Sequence, residues 1–124
     1  MTESYVVGFR IFDGKSLRTE DGNPCDPYVK VECHDQIFYS SEMQNRDAFV
    51  PWNETNIWSA IEMSSREFET ATIEFSIYAK YWFTRDYLIG KTALQLSFIN
   101  QRRHNLFARI LPNARVCSTS ACLP

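Results

Sequence analysis

No apolar run in the 124 residues approaches the roughly 20 that a membrane-spanning helix needs, which excludes a helical bilayer span within this chain. The start, Met1-Thr2-Glu3-Ser4, has neither a basic n-region nor an apolar h-region, so no secretory leader is expected. There is no surplus of positive charge: 13 Lys and Arg stand against 15 Asp and Glu, a net charge of −2. That removes any general attraction to nucleic acid or to anionic membrane and leaves only local basic groups to weigh. The two histidines, His34 and His104, lie in polar connections with no nucleophile and orienting acid in a recognisable motif. A G-x-G-x-x-G, a P-loop and a G-x-S-x-G are all missing, so an enzyme is not expected. The four cysteines, Cys25, Cys33, Cys117 and Cys122, lack the paired C-x-x-C spacing of a zinc site. Reduced thiols in an intracellular protein are the expectation, with Cys33 a small buried hydrophobe. In that setting the sequon Asn53-Glu54-Thr55 is coincidental.

What the chain does contain is a core. An apolar fraction of 44% and an aromatic fraction of 15% suit one domain of ordinary size. No segment sustains a 3.6-residue apolar period. Short alternating segments recur instead. Residues 5–12 place Val7, Phe9 and Ile11 on one face; residues 28–33 place Val29, Val31 and Cys33 together. His34-Asp35 joins the second segment to residues 36–39 as a hairpin. Residues 40–50 read as a polar loop, and Trp52 and Asn53-Glu54 as structural: a large ring to bury and two polar side chains to fasten a bend. Further strands are expected at 57–63, 72–78 and 88–96, the second with Ile73, Phe75 and Ile77 on the core face and Glu74, Ser76 and Tyr78 on the solvent face, with a charged connection at 64–70 and a long loop at 79–87. Strands at 106–110 and, weakly marked, 115–121 bring the number to eight. Regular spacing of short strands argues for an all-β antiparallel sandwich spanning residues 1–124, with its core about 5–111 and 112–124 a weak final strand or tail. There are no repeats, low-complexity tracts or linkers.

One stretch organises the rest: Asp21-Gly22-Asn23-Pro24-Cys25-Asp26-Pro27-Tyr28-Val29-Lys30-Val31. Gly22 and Asn23 tolerate positive φ and Pro24 fixes φ, so the chain turns there. Pro27 sits at the first strand position, where a missing N–H does least harm. Glu20, Asp21 and Asp26 are thereby gathered at one rim. The words Cys25-Asp26-Pro27-Tyr28-Val29-Lys30-Val31, Pro51-Trp52-Asn53-Glu54 and Tyr87-Leu88-Ile89-Gly90 together resemble the signature of C2 domains, across about residues 5–111. Because the strand leading into the acidic loop begins almost at the N-terminus, the chain resembles the type II permutation of that family. Phe107-Ala108-Arg109-Ile110 and the short first loop resemble the ferlin branch.

The resemblance implies a non-catalytic module for membrane targeting or protein interaction in vesicle trafficking, cytoplasmic and peripheral to membranes, from a larger, tail-anchored parent. It also implies a calcium rim. Calcium takes six to eight oxygen ligands, drawn in this family from two loops. The first loop supplies Asp26 and either Glu20 or Asp21. The third does not complete the set: its D-x-D positions fall on Ala79 and Tyr81, and Asp86 is one place out of register. The expectation is therefore calcium independence, with no cofactor, or one weakly held calcium among Asp21, Asp26, Asp86 and Glu20. The alternative is a calcium-dependent phospholipid-binding domain.

The third loop carries aromatics where the carboxylates are missing. Tyr81-Trp82-Phe83, followed by Thr84-Arg85, reads either as a membrane or partner contact or as rings folded back over the sandwich. Trp82 is the first choice for exposure. A phosphoinositide site is not expected, because the strand 36–39 has no lysine and Lys30 stands nearly alone. The basic group Arg102-Arg103-His104, with Arg109 and Arg115, reads as a solvated loop rather than a lipid contact. Expected partners are membrane phospholipid or a protein, not nucleic acid, with a dimer through an exposed sheet edge as a third reading.

Overall fold

The computed structural model describes residues 2–15, 17, 25–43 and 49–98. The expected strands at 106–110 and 115–121, the basic group at 102–104 and the rim residues Glu20 and Asp21 lie outside them. Alternation of apolar and polar residues produces strands β1 (Thr2–Ile11), β3 (Pro27–Cys33), β4 (Gln36–Tyr39), β6 (Glu54–Ser64), β7 (Thr72–Ala79) and β8 (Tyr87–Gln95). Two short strands, β2 (Gly14–Lys15) and β5 (Phe49–Val50), pair with each other. All pairings among the described residues are antiparallel. One sheet runs β4-β3-β7-β8, and β1 pairs with β6 in the facing layer.

The two layers meet over one apolar cluster. Phe9 and Ile11 from β1 and Ile61 and Met63 from β6 face Val29, Val31 and Cys33 from β3 and Ile73, Phe75 and Ile77 from β7, all nearly sealed from water. Phe9 lies at the centre, its ring 5.1 Å from Trp58, 5.2 Å from Phe38 and 5.9 Å from Phe75. Those spacings are the edge-on and tilted contacts that aromatic quadrupoles favour. The inward faces are those the alternation predicts. The hairpin also stands, with Cys33 opposite Gln36 and His34 in the left-handed region at φ 55.

Trp52, Asn53 and Glu54 fasten the β5–β6 bend. The Trp52 indole N–H donates to the Ser41 carbonyl at 3.0 Å, and the Glu54 carboxylate accepts the Ser41 amide at 3.0 Å. Asn53 takes φ 49 and its Oδ1 accepts from Arg10 Nε at 3.1 Å. Gly14 lets Trp52 close over the end of the sandwich: a Cβ there would stand 2.8 Å from the Trp52 ring and 2.7 Å from Leu17.

Two connections differ from expectation. The loop at 40–50 contains the strand β5, too short to show periodicity. The charged connection at 64–70 holds a helix, α1 (Ser65–Thr70). Its cause is a capping box: the Glu67 amide donates to Ser64 Oγ at 3.1 Å, and the Ser64 amide donates to Glu67 Oε1 at 2.8 Å. The signal Ser64-x-x-Glu67 is present in the sequence, but six residues give no room for an amphipathic period. Strand ends otherwise match expectation or differ from it by up to three residues.

Candidate functional site

Asp26 and the third loop meet where β3 begins and β7 ends. Pro27 pairs with Ala79, and the Lys80 amide donates to the Asp26 carbonyl at 2.9 Å, which fixes the loop 80–86 beside Asp26. At its tip Trp82 is 72% exposed and Phe83 99% exposed. Arg85 is exposed beside them, while Tyr81 is half-buried and stacks on Tyr87 at 6.3 Å. Two of the three rings thus point to water, Phe83 more fully than Trp82. Large apolar side chains scattered singly over a surface need no explanation. Two in succession at the tip of one loop form a patch and do.

Asp86 lies at the base of the loop. Its Oδ2 accepts from the Tyr28 hydroxyl, its Oδ1 accepts from the Tyr81 amide at 3.2 Å, and Lys80 Nζ is 4.0 Å away. Tyr28 stacks on Tyr78 at 5.5 Å, and burial followed by the Asp86 hydrogen bond pushes its phenol pKa well above the usual range. Tyr28 thus keeps its proton for Asp86. The D-x-D positions carry no carboxylate: Ala79 is sealed in the core and Tyr81 faces Tyr87. Among the described residues no three His, Cys, Asp or Glu side chains converge to hold a metal. The one third-loop carboxylate is committed to two protein donors, with an ammonium beside it. The described donor set does not fit calcium.

The outer face of the four-stranded sheet is charged but balanced. Lys30 pairs with Glu32 at 3.2 Å and lies over the Tyr39 ring; Lys91 pairs with Glu74 at 3.1 Å. The hydrogen bond to Glu32, ahead of smaller effects, raises the Lys30 pKa. Ser76, expected on the solvent side, is 3% exposed. It sits in register between Lys30 and Lys91, two residues long enough to cover a short side chain. Cys25 and Cys33 are buried free thiols, and burial ahead of Asp35 pushes Cys33 up to about 11. A thiol so protonated is no nucleophile. No described helix is long and apolar enough to cross a membrane.

Sequence reasoning misses Tyr28 and Lys80 as parts of this site. Tyr28 reads only as a strand former, and nothing in one sequence shows that its hydroxyl spans to a loop 58 residues away. Asp86 is visible as a candidate, but its displacement by one place gives no hint of what it binds instead.

Comparison with known proteins follows the same lines. A stretch of Ferlin 2 from Toxoplasma gondii is 32% identical over 111 residues, covering 90% of this chain and 8% of that protein. The chain therefore spans less than a tenth of this relative. Extended-Synaptotagmin 2, in a structure of its two tandem C2 domains, superposes with TM-score 0.68 at 18% identity over 84% of this chain and 35% of that one. The first C2 domain of plant Extended Synaptotagmin 1 superposes with TM-score 0.59 at 21% identity over 74% of this chain and 69% of that one. Both are likenesses of fold. The sequence profile of the C2 domain matches residues 6–109, nearly the whole sandwich with its acidic loop and its aromatic third loop, and the chain belongs to the C2 domain family.

Proposed function

We propose that this domain is a non-catalytic, calcium-independent membrane-contact module whose contact point is the Trp82–Phe83 tip, working within a larger ferlin-like membrane-trafficking protein at the cytoplasmic side of a membrane. One observation carries the reading: two adjacent aromatic side chains, 72% and 99% exposed, project from the end of a rigid sandwich. Trp is favoured at the bilayer interface, and Phe buries a full ring below it. Transferring such a ring from water contributes about 1.5–3 kcal/mol. The neighbouring Arg85 adds attraction to anionic headgroups. Calcium independence is supported by Asp86, whose carboxylate already has two protein donors.

Vesicle sedimentation tests this. With phosphatidylcholine vesicles containing phosphatidylserine, binding is expected to be equal in calcium and in chelator. Trp82→Ala and Phe83→Ala are each expected to weaken it about tenfold or more, the factor matching one buried ring. Binding that needs calcium, or that ignores both substitutions, sinks the reading.

A second reading has its own support. β4 and β8 each pair with one neighbour among the described residues, and Ile37, Tyr39 and Leu88 on them are 53%, 57% and 44% exposed. An open edge with exposed apolar side chains suits a protein strand. That reading predicts a contact indifferent to Trp82→Ala and no vesicle binding under any condition.

A further inference from the structure

An exposed apolar tip does not hold itself out. Left to itself, a short loop with two rings in water gains by folding them onto the nearest apolar surface. A metal ion bound at an acidic rim would gather the loops; the described carboxylates, Asp26 and Asp86, do not by themselves make such a site. Three contacts close the loop instead. Tyr81 stacks on Tyr87 across its base, the Lys80 amide holds the Asp26 carbonyl, and Asp86 joins both limbs of the loop to a neighbouring strand. The Asp86 contact is the one with charge behind it. One carboxylate oxygen takes the Tyr81 amide from the outgoing limb; the other takes the Tyr28 hydroxyl from β3. Tyr28 is itself set by stacking on Tyr78 at 5.5 Å, so its hydroxyl is a fixed anchor. Hydrogen bonds to an ionised acceptor are the stronger kind, and two on one carboxylate leave it little freedom.

We propose that Asp86 is a positioning residue that does for this loop what a bound cation would otherwise do: it clasps the outgoing limb to Tyr28 so that Trp82 and Phe83 face the membrane without calcium. The proposal rests on the membrane-contact reading above. Lys80, 4.0 Å from the carboxylate, completes the substitution by supplying positive charge on the chain itself. A dication entering here would have to displace the Tyr28 hydroxyl and the Tyr81 amide and lie against that ammonium.

The test uses the 124-residue chain with Asp86→Ala, Asp86→Asn and Tyr28→Phe, each alone and combined with Trp82→Ala. Vesicles are phosphatidylcholine with phosphatidylserine, and exchange of the Tyr81 amide is followed by NMR. Asp86→Ala is expected to raise the apparent Kd roughly tenfold, about the value of one charge-assisted hydrogen bond. Asp86→Asn, which keeps an oxygen acceptor, and Tyr28→Phe are expected to lose less. In the Trp82→Ala background all three are expected to add little, because the clasp acts through the tip. Tyr81 amide exchange is expected to accelerate in Asp86→Ala. Equal losses with and without Trp82 overturn the proposal, and so does a calcium-induced rise in Tm that Asp86→Ala abolishes, which makes Asp86 an ion ligand. Should Trp82→Ala and Phe83→Ala both leave vesicle binding intact, the membrane reading fails by itself. The clasp is then judged on the amide: unchanged Tyr81 exchange in Asp86→Ala overturns it, and accelerated exchange supports it. If Asp86→Ala does not fold, Tyr28→Phe carries the same comparison.

Discussion

The two ends of β7 solve one problem with one device and present opposite surfaces. Before β7, the connection α1 is held by Glu67, whose carboxylate takes the Ser64 amide while the Ser64 hydroxyl takes the Glu67 amide. After β7, the connection 80–86 is held by Asp86, whose carboxylate takes the Tyr81 amide and the Tyr28 hydroxyl. Each is a carboxylate gripping a backbone N–H at the mouth of a short connection, where orphan donors must be satisfied. What each connection displays differs. α1 turns Ser65, Arg66, Glu67, Glu69 and Thr70 to water and lays its one ring, Phe68, half-buried against Tyr5. The loop after β7 shows Trp82 and Phe83. A solvated end needs only to be closed. The end that holds two rings in water is the one to which the proposed contact is assigned, and the comparison sets it against a connection that only closes the sandwich.

Two independent ends require a sandwich rigid enough to keep them apart. Phe9 is the place to break it. Its ring touches Phe38, Trp58 and Phe75 and is 1% exposed. Phe9→Ala is expected to cost about 3–5 kcal/mol, the transfer energy of the ring plus the cavity it leaves. Urea denaturation reads this as a lower midpoint with unchanged slope. If the ends were separate units, the loss would be confined to one probe; a single shifted transition seen by all probes supports one cooperative body.

The next effect is at α1. Ser64→Ala removes the cap acceptor and is expected to cost about 1 kcal/mol. Vesicle binding is expected to stay the same, since Trp82 and Phe83 lie at the other end of β7. A loss of binding would move the contact surface to this end and undo the contrast.

The inward faces were legible because burial imposes a period of two: Val29, Val31 and Cys33 alternate with Tyr28, Lys30 and Glu32, and the structure keeps that register. The bend at Trp52 to Glu54 was legible as chemistry, a ring to bury beside two capping side chains. α1 was written in Ser64 and Glu67, yet six residues are too few for a helical period to show. The clasp was illegible for a different reason. It joins Tyr28 to Asp86 across 58 residues, and sequence spacing carries no information about which strand a loop will fall beside. Ser76 was misread because alternation separates the two faces of a sheet but does not say how deeply long neighbours such as Lys30 and Lys91 cover the outer one.

Acid separates the two ends by a smaller amount. The Ser64 amide, and then its hydroxyl, hold the Glu67 carboxyl below its ordinary pKa of 4.5. A carboxyl whose folded pKa lies below its unfolded value binds fewer protons in the native state. Its stabilising effect is therefore complete above 4.5 and is lost as pH falls through the lowered folded value. Thermal unfolding from about pH 7 downward is expected to show Tm falling below that point, with part of the fall missing in Glu67→Gln. The group is open to solvent, so the difference is expected to be small and to shrink in salt. An identical acid profile in Glu67→Gln would show that the cap carboxylate is inert.

The smallest expected effect is the most diagnostic. The double variant Trp82→Ala, Phe83→Ala removes two large rings, a change that would ruin the fold at Phe9 or Phe75. At the tip these rings are 72% and 99% in water already, so little burial is lost and no cavity forms. Stability is expected to stay within about 0.5 kcal/mol of the wild type, the range for surface substitutions. A modest rise in Tm would also fit, since the native state would no longer hold exposed apolar rings in a fixed loop. A fall of about 2 kcal/mol or more, on the scale of a buried ring, would mean that the rings pack on the sandwich in solution and that the loop is a cap of the core. Unchanged stability combined with lost vesicle binding leaves one account: side chains kept at this position for what they touch outside the domain.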